Sequence, residues 1–240
     1  MLLALETSAE RGSVALFEGD RLLGEVALDA HERHAASLLV CLDRLLGDVA
    51  RSLDDVDRIA LAIGPGSFTG LRIGLATALG LAFGTSRTIV PVPTLAALAT
   101  QAGREGLVAA MLDARRGEVY AGLYGADGRA QAADSCGPVA EFLARLPSGE
   151  AIAFIGEGAL VHRVEIEAQL GGLAHFLPPE VQRLGAATVG RLGLRLAAAG
   201  LALAPERVEL RYLRRSEAEV RRAEAEARRL ALHPAGEPIP

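Results

Sequence analysis

The chain reads as an α/β protein built from two βββαβα-type units in tandem. Three observations predict this. Apolar segments follow the same order in both halves, a short run of residues is echoed at the matching place in each half, and 240 residues at 50% hydrophobic composition supply one large core or two modest ones. In the first half, residues 2–5, 13–17 and 22–28 read as short strands, with Glu18-Gly19-Asp20 as the turn between the last two. An amphipathic pattern over about 34–50 predicts a helix, followed by a buried strand at 59–63, a helix at about 67–83 and a strand at 88–92. The second half repeats the order, with strands at 107–112, 118–123 and around Ala130, a helix near 139–146, a strand at 151–155 and further helices. Glu6 and Arg11-Gly12-Ser13-Val14 are echoed by Asp113 and Arg116-Gly117-Glu118-Val119, and each copy runs on to a glycine turn, Gly19-Asp20-Arg21 or Asp127-Gly128-Arg129. The expected division is 1–104 and 105–205, with 206–240 as a helical tail.

Two such units in tandem are the architecture of the actin-like (ASKHA, RNase H-like) fold, in which each half ends its first strand with a carboxylate facing a central cleft. Glu6 and Asp113 occupy those places, with Thr7, Ser8 and Arg116 beside them. Two readings follow. A nucleotide phosphate or magnesium sits between the carboxylates and the Thr7-Ser8 amides, or the carboxylates only end strands and cap turns. The fold does not decide between them.

Composition narrows the functions. A net charge of −5 argues against a broad basic surface that grips nucleic acid unaided. All 25 basic residues are arginine, which removes the Walker-type phosphate lysine and the Schiff base. Cys41 and Cys136 lack CxxC spacing and read as reduced thiols. The chain starts without a basic leader, and its longest apolar run, 73–83, is too short for a membrane helix, so a soluble cytoplasmic protein is expected. His31 and His34 lack a third metal ligand, and His162, His175 and His233 lack partners at ligand spacing. Ser8, Ser13 and Ser67 show no triad pattern. Over 214–229, arginine pairs at a seven-residue period alternate with glutamates, which predicts a solvated helix.

The segment Gly64-Pro65-Gly66-Ser67-Phe68-Thr69-Gly70-Leu71-Arg72-Ile73-Gly74 sits where phosphate loops occur, between a strand and a helix, but matches neither GxxxxGK[ST] nor GxGxxG. Its helix is apolar nearly all round, and Gly66, Gly70, Gly74 and Ala78 make one stripe of almost bare backbone. Each interior glycine costs about 1 kcal/mol against alanine. The preceding helix carries Leu38, Leu39, Cys41, Leu42, Leu45, Leu46 and Val49 over half its circumference. The excess predicts a subunit interface formed by His34, Leu38, Leu42, Leu45, Gly66, Phe68, Gly70, Ile73, Gly74, Thr77 and Ala78. The alternative is that both helices pack on their own sheet and on each other.

The string at 64–74 resembles the hallmark of the TsaB (YeaZ-type) family, Asp113-Ala114-Arg115-Arg116-Gly117-Glu118-Val119-Tyr120 resembles its second motif, and Tyr212-Leu213-Arg214 its late one. Glu6 stands where aspartate is usual, and Leu210 where proline is. The resemblance implies an accessory subunit without catalysis of its own, an interface role for His34, and a heterodimer with the paralogue TsaD, assisted by the ATPase TsaE. It also implies a homodimer when the chain is alone, tRNA contact only through the complex, no intrinsic cofactor, and ATP/ADP and metal on the partner subunits. Where the paralogue has a metal-binding His-x-x-x-His, this chain reads Thr94-Leu95-Ala96-Ala97-Leu98. The rival reading is an ATP-dependent phosphotransferase using Glu6 and Asp113.

Overall fold

The computed structural model describes residues 1–9, 11–28, 35–103, 105–125 and 127–214. The first lobe is built on strands β1 (Leu2–Glu6), β2 (Ser13–Glu18), β3 (Arg21–Ala27), β4 (Arg58–Gly64) and β5 (Thr88–Pro93), in the order β3-β2-β1-β4-β5. The second uses β6 (Leu107–Arg115), β7 (Glu118–Gly125), β8 (Ser135–Pro138), β9 (Ile152–Ile155) and β10 (Ala174–Phe176), in the order β10-β9-β6-β7-β8. Read from the opposite edge, the second order is the first, with β6 in the place of β1, so the duplication is present in the topology. In both sheets the first strand pairs antiparallel with the second and parallel with the fourth. Being central, β1 is buried on both faces, which is why Leu2-Leu3-Ala4-Leu5 is a continuous apolar run.

One difference from the expected strands lies in the second lobe. The third strand is β8, whereas Ala130 makes an isolated bridge to Tyr124. The Asp127-Gly128-Arg129 turn ends β7, and Asp134 is drawn in beneath the sheet by the Tyr124 hydroxyl. Pairing therefore resumes only after Asp134.

Helices α1 (Ala35–Asp48) and α2 (Phe68–Ala82) cover one face of the first sheet, meeting Leu3, Leu5, Val14, Leu16, Ile59 and Leu61. The opposite face presents Ala4, Ala15, Phe17, Ala60 and Ala62 to a core shared with the second sheet. Two helices fill that shared layer, α3 (Thr94–Thr100) and α7 (Ala186–Ala198). The outer face of the second sheet is covered by α4 (Val139–Leu143) and α6 (Arg163–Leu170), and α5 (Glu157–Val161) lies against β6.

The strands divide at residue 104/105, but the helices do not respect that boundary. Helix α3, from the first stretch, packs on β6 and β7, and α7, from the second, packs on β1, β2, β4 and β5. The expected unit 105–205 therefore gives its last helix to the first sheet. Small residues make this possible: a side chain on Gly193 would come within 2.5 Å of the Ala60 Cβ, and one on Gly190 would enter the Phe17 ring. The expected tail at 206–240 is also divided. Leu203 bridges to Ile89, Val208 is buried in the α1/α2 core, and residues to 214 run along the lobes. The expected helix over 214–229 lies outside the described residues beyond Arg214.

Because the nearest atoms to a Gly190 side chain are those of the Phe17 ring, Gly190→Ala forces that ring to shift. A loss of about 1–3 kcal/mol in denaturant unfolding is expected, with the midpoint moving and the slope unchanged.

Candidate functional site

Two regions carry the residues singled out from the sequence: the outer layer of α1 and α2, and the cleft between the lobes. In the first, the chain leaves β4 through Gly64 and a cis Gly64-Pro65 bond, and Ser67 caps α2 by accepting the Gly70 amide at 3.2 Å. The bare stripe of α2 faces inward. A Cβ on Gly66 would lie 2.6 Å from the Ser8 carbonyl oxygen, and one on Gly70 would overlap the Thr7 carbonyl oxygen. One on Gly74 would overlap the Thr7 hydroxyl, and Ala78 is fully buried. Gly66, Gly70 and Gly74 therefore meet the residues just after β1 within this chain, and Ala78 joins the core beneath α2, in place of the expected interface contact. A sequence shows that a stripe is small but not which neighbour it meets.

The same correction applies to α1. Leu38, Leu42 and Leu45 are buried against the sheet, with Leu45 closing over Gly24 of β3. His34 lies outside the described residues. Phe68, Ile73 and Thr77 remain half-buried. The exposed apolar side chains of this layer lie outside the expected interface set: Leu39, counted in the α1 face, is 47% exposed, Val40 66% and Phe83 88%. Their signal was legible as the surplus apolar positions on α1 beyond what one sheet-facing stripe requires. On α2, Ala76 and Gly80 are exposed as well.

The cleft has a volume of about 650 Å³, with Ser8, Ser67 and Phe68 on one wall and Asp113, Ala114 and Arg115 on the other. Ser8 and Asp113 are brought to it; Glu6 is not. The Glu6 side chain is fully buried and turns back on its own loop, where Oε1 accepts the Ser8 amide at 2.7 Å, the Ser8 hydroxyl at 2.5 Å and the Ala9 amide at 3.2 Å. Burial outweighs these three donors and pushes the carboxyl up to about 7, and the Glu25 carboxyl adds to the effect. Thr7 is buried with its hydroxyl against α2. Asp113 accepts the Arg115 amide at 2.8 Å and pairs with its guanidinium at 3.4 Å, closing the turn through Arg116-Gly117. Arg116 has a left-handed backbone in that turn and does not line the cleft. Asp113 thus lines the cleft while Glu6 is held within its own loop. Among the described residues, no group of three or more His, Cys, Asp or Glu could hold a metal, and no helix is long and apolar enough to cross a membrane.

The three serines are engaged structurally. Ser8 donates to Glu6, Ser13 donates to Glu25 and accepts the Ala186 amide, and Ser67 caps α2.

The late Tyr-Leu-Arg returns to this region. Tyr212 packs against Phe68 in a tilted arrangement with centroids 5.0 Å apart, the Arg72 guanidinium lies 3.9 Å over the Phe68 ring, and Arg214 pairs with Glu118 and donates to the Ala114 carbonyl at 3.0 Å. All three motif segments, distant in sequence, therefore meet around one cleft. A family model described as TsaD, tRNA N6-adenosine threonylcarbamoyltransferase, matches residues 24–221. The solved structure of YeaZ from Pseudomonas aeruginosa superposes with a TM-score of 0.74 at 32% identity, covering 88% of this chain and 99% of that one. The chain belongs to the TsaB (YeaZ-type) family. The tRNA threonylcarbamoyladenosine biosynthesis protein TsaB of Haemophilus influenzae is 42% identical over 125 residues, 50% of this chain and 51% of that protein. The chain spans about half the length of the curated TsaB relatives it matches first. At 10% identity and a TM-score of 0.51, component A of the Acidaminococcus fermentans (R)-2-hydroxyglutaryl-CoA dehydratase covers 82% of this chain and 98% of its own, a likeness of fold alone. The fold is the actin-like one.

Two measurements check the family's glycine segment and its buried acid. Gly70→Ala should cost about 3 kcal/mol or more in urea unfolding, because a backbone carbonyl cannot move aside. Gly80→Ala, on open helix surface, should instead gain about 0.4–1 kcal/mol. Glu6 holds its proton more tightly folded than unfolded, so its contribution is full below about pH 4.5 and is lost as pH rises through about 7. Glu6→Gln should therefore match the parent near pH 4.5 and exceed it by about 3 kcal/mol at pH 8, read from denaturation midpoints across pH. Parallel curves for the two proteins would contradict this.

Proposed function

We propose that the chain is a non-catalytic partner subunit that binds and activates TsaD in threonylcarbamoyl transfer to N6 of the adenosine 3′ of the anticodon in tRNA. The observation that carries the reading is the outer layer of α1 and α2, which leaves Leu39, Val40 and Phe83 exposed to water although the sheet beneath is already covered. Contiguous exposed apolar side chains mark an interaction surface, and the neighbouring Leu39 and Val40 on α1 support one here. The names of the TsaB relatives supply the pathway. With a net charge of −5, the chain contributes little to gripping tRNA directly, and tRNA is met through the complex. In this reading TsaE completes the assembly, nucleotide and metal are held on partner subunits, the same face pairs two copies when TsaD is absent, and the compartment is the cytoplasm.

The competing reading, a phosphotransferase of the same fold, depends on two carboxylates flanking a nucleotide. Glu6 is sequestered in its own loop, so that reading lacks its pair. It predicts ATP hydrolysis or transfer by the isolated chain with magnesium, whereas an accessory subunit is silent until TsaD, TsaE and tRNA are supplied.

Val40→Asp and Phe83→Asp place charge on the outer layer without touching either core. Each should weaken association with TsaD by about 10- to 100-fold and lower tRNA modification in the reconstituted system, with unfolding midpoints unchanged. Full association by both variants would refute the proposed face. Leu42 and Gly74 are unsuitable for this purpose, since both report on folding.

A further inference from the structure

After α7 the chain crosses back over the first lobe and then leaves it. Leu203 pairs with Ile89 at the edge of the first sheet, and Val208 enters the core beneath α2. The Arg211 amide donates to the Ile63 carbonyl at 2.8 Å, and the Arg211 carbonyl oxygen lies 2.5 Å from where a Gly64 side chain would begin. A glycine at the end of β4 is thus needed for this passage. Tyr212 then rests on Phe68, with its hydroxyl 3.4 Å from Arg72 Nε. The guanidinium groups on either side of Tyr212 turn to the other lobe. Arg211 reaches Asp134 at 2.9 Å, and Arg214 takes Glu118 and the Ala114 carbonyl.

We infer that residues 209–214 are a latch that sets the closure of the interlobe cleft. The segment grips Phe68 on one wall and Ala114 on the other, and both line the cavity. Its two grips differ in kind: a tilted aromatic contact and a backbone hydrogen bond hold the first lobe, and two arginines hold the second. Of the two covalent crossings between lobes, the one between α3 and β6 lies outside the cleft lining, and the one between β10 and α7 contributes Gln182, Arg183 and Leu184 to it. Beside these crossings and the shared core, the latch is a further, non-covalent connection that ties Phe68 of one cleft wall to Ala114 of the other. Arginine suits the outer grip because its planar fork meets a carboxylate and a carbonyl together, which a lysine ammonium does less well.

Hydrogen exchange on the full chain, read by peptide mass spectrometry, tests this. Arg214→Ala removes a grip on the second lobe only, yet it should raise exchange by about tenfold in residues 63–72 of the first lobe as well as in 113–120. Tyr212→Ala should produce the reciprocal result, and the double variant should add little to either single one. Tyr212→Phe, which keeps the aromatic contact, should stay near the parent, and Arg214→Lys should fall between parent and alanine. Changes confined to the lobe of the substituted residue, or additive in the double variant, would overturn the latch. So would a uniform rise across both sheets in the conservative variants. Arg211 is left intact throughout, because removing it strands the buried Asp134 carboxylate and loosens the whole lobe.

Discussion

Helix α2 lies so near the end of β1 that Gly70 has the Thr7 carbonyl oxygen where a side chain would begin, and Gly66 and Gly74 meet Ser8 and Thr7 on either side. This approach organises the first lobe. It buries Thr7 and seals the Glu6 loop. It also brings the N-terminal end of α2, with Phe68, to the cleft wall. The second lobe repeats the device at its matching place: a side chain on Gly156 would overlap the Met111 carbonyl oxygen, and one on Gly158 would lie 2.7 Å from the Leu112 carbonyl carbon. Close contact between the turn after the fourth strand and the end of the first is thus a property of the repeated unit. The helix propensity given up at each glycine is offset by packing that no larger residue permits.

The same approach explains what happens to the nucleotide chemistry the fold brings to mind. A carboxylate at the end of β1 faces a cleft only if its loop leaves it free. Here the Ser8 and Ala9 amides and the Ser8 hydroxyl close on Glu6, burial raises its proton affinity, and the acid becomes part of the loop. Asp113 is drawn into the hairpin turn by Arg115. The cleft persists with Asp113 on its wall, while Glu6 is withdrawn into the loop.

Much of the fold was legible because it rests on local pattern. Apolar runs of strand length, the amphipathic and apolar helix patterns and the glycine turns placed most elements within a few residues, and the echo of Glu6 through Val14 in Asp113 through Val119 marked the repeat. What escaped is long-range. Gly66, Gly70 and Gly74 announce a close neighbour without saying whether it is β1 or another subunit. Leu38, Leu42 and Leu45 form the ordinary sheet-facing stripe, and the exposed Leu39 and Val40 were hidden within the same apolar run. Glu6 could not be known to turn inward, since its partners are backbone amides whose direction the sequence does not encode. The placement of α7 on the first sheet depends on fitting Gly190 and Gly193 between Phe17 and Ala60, residues far apart along the chain.

The crossing of α3 and α7 between lobes also bears on the order in which the protein can be made. A chain emerging from the ribosome completes β5 at residue 93, but the helix that covers the inner face of that first sheet begins only at residue 186. Until then Phe17 and the alanines of β1, β2 and β4 lack their native cover, and α3 has no second sheet to lie on. The first half therefore cannot mature as an independent domain during synthesis, although domains usually fold in sequence from the N-terminus. The two halves, similar enough to share one topology, reach their final state together.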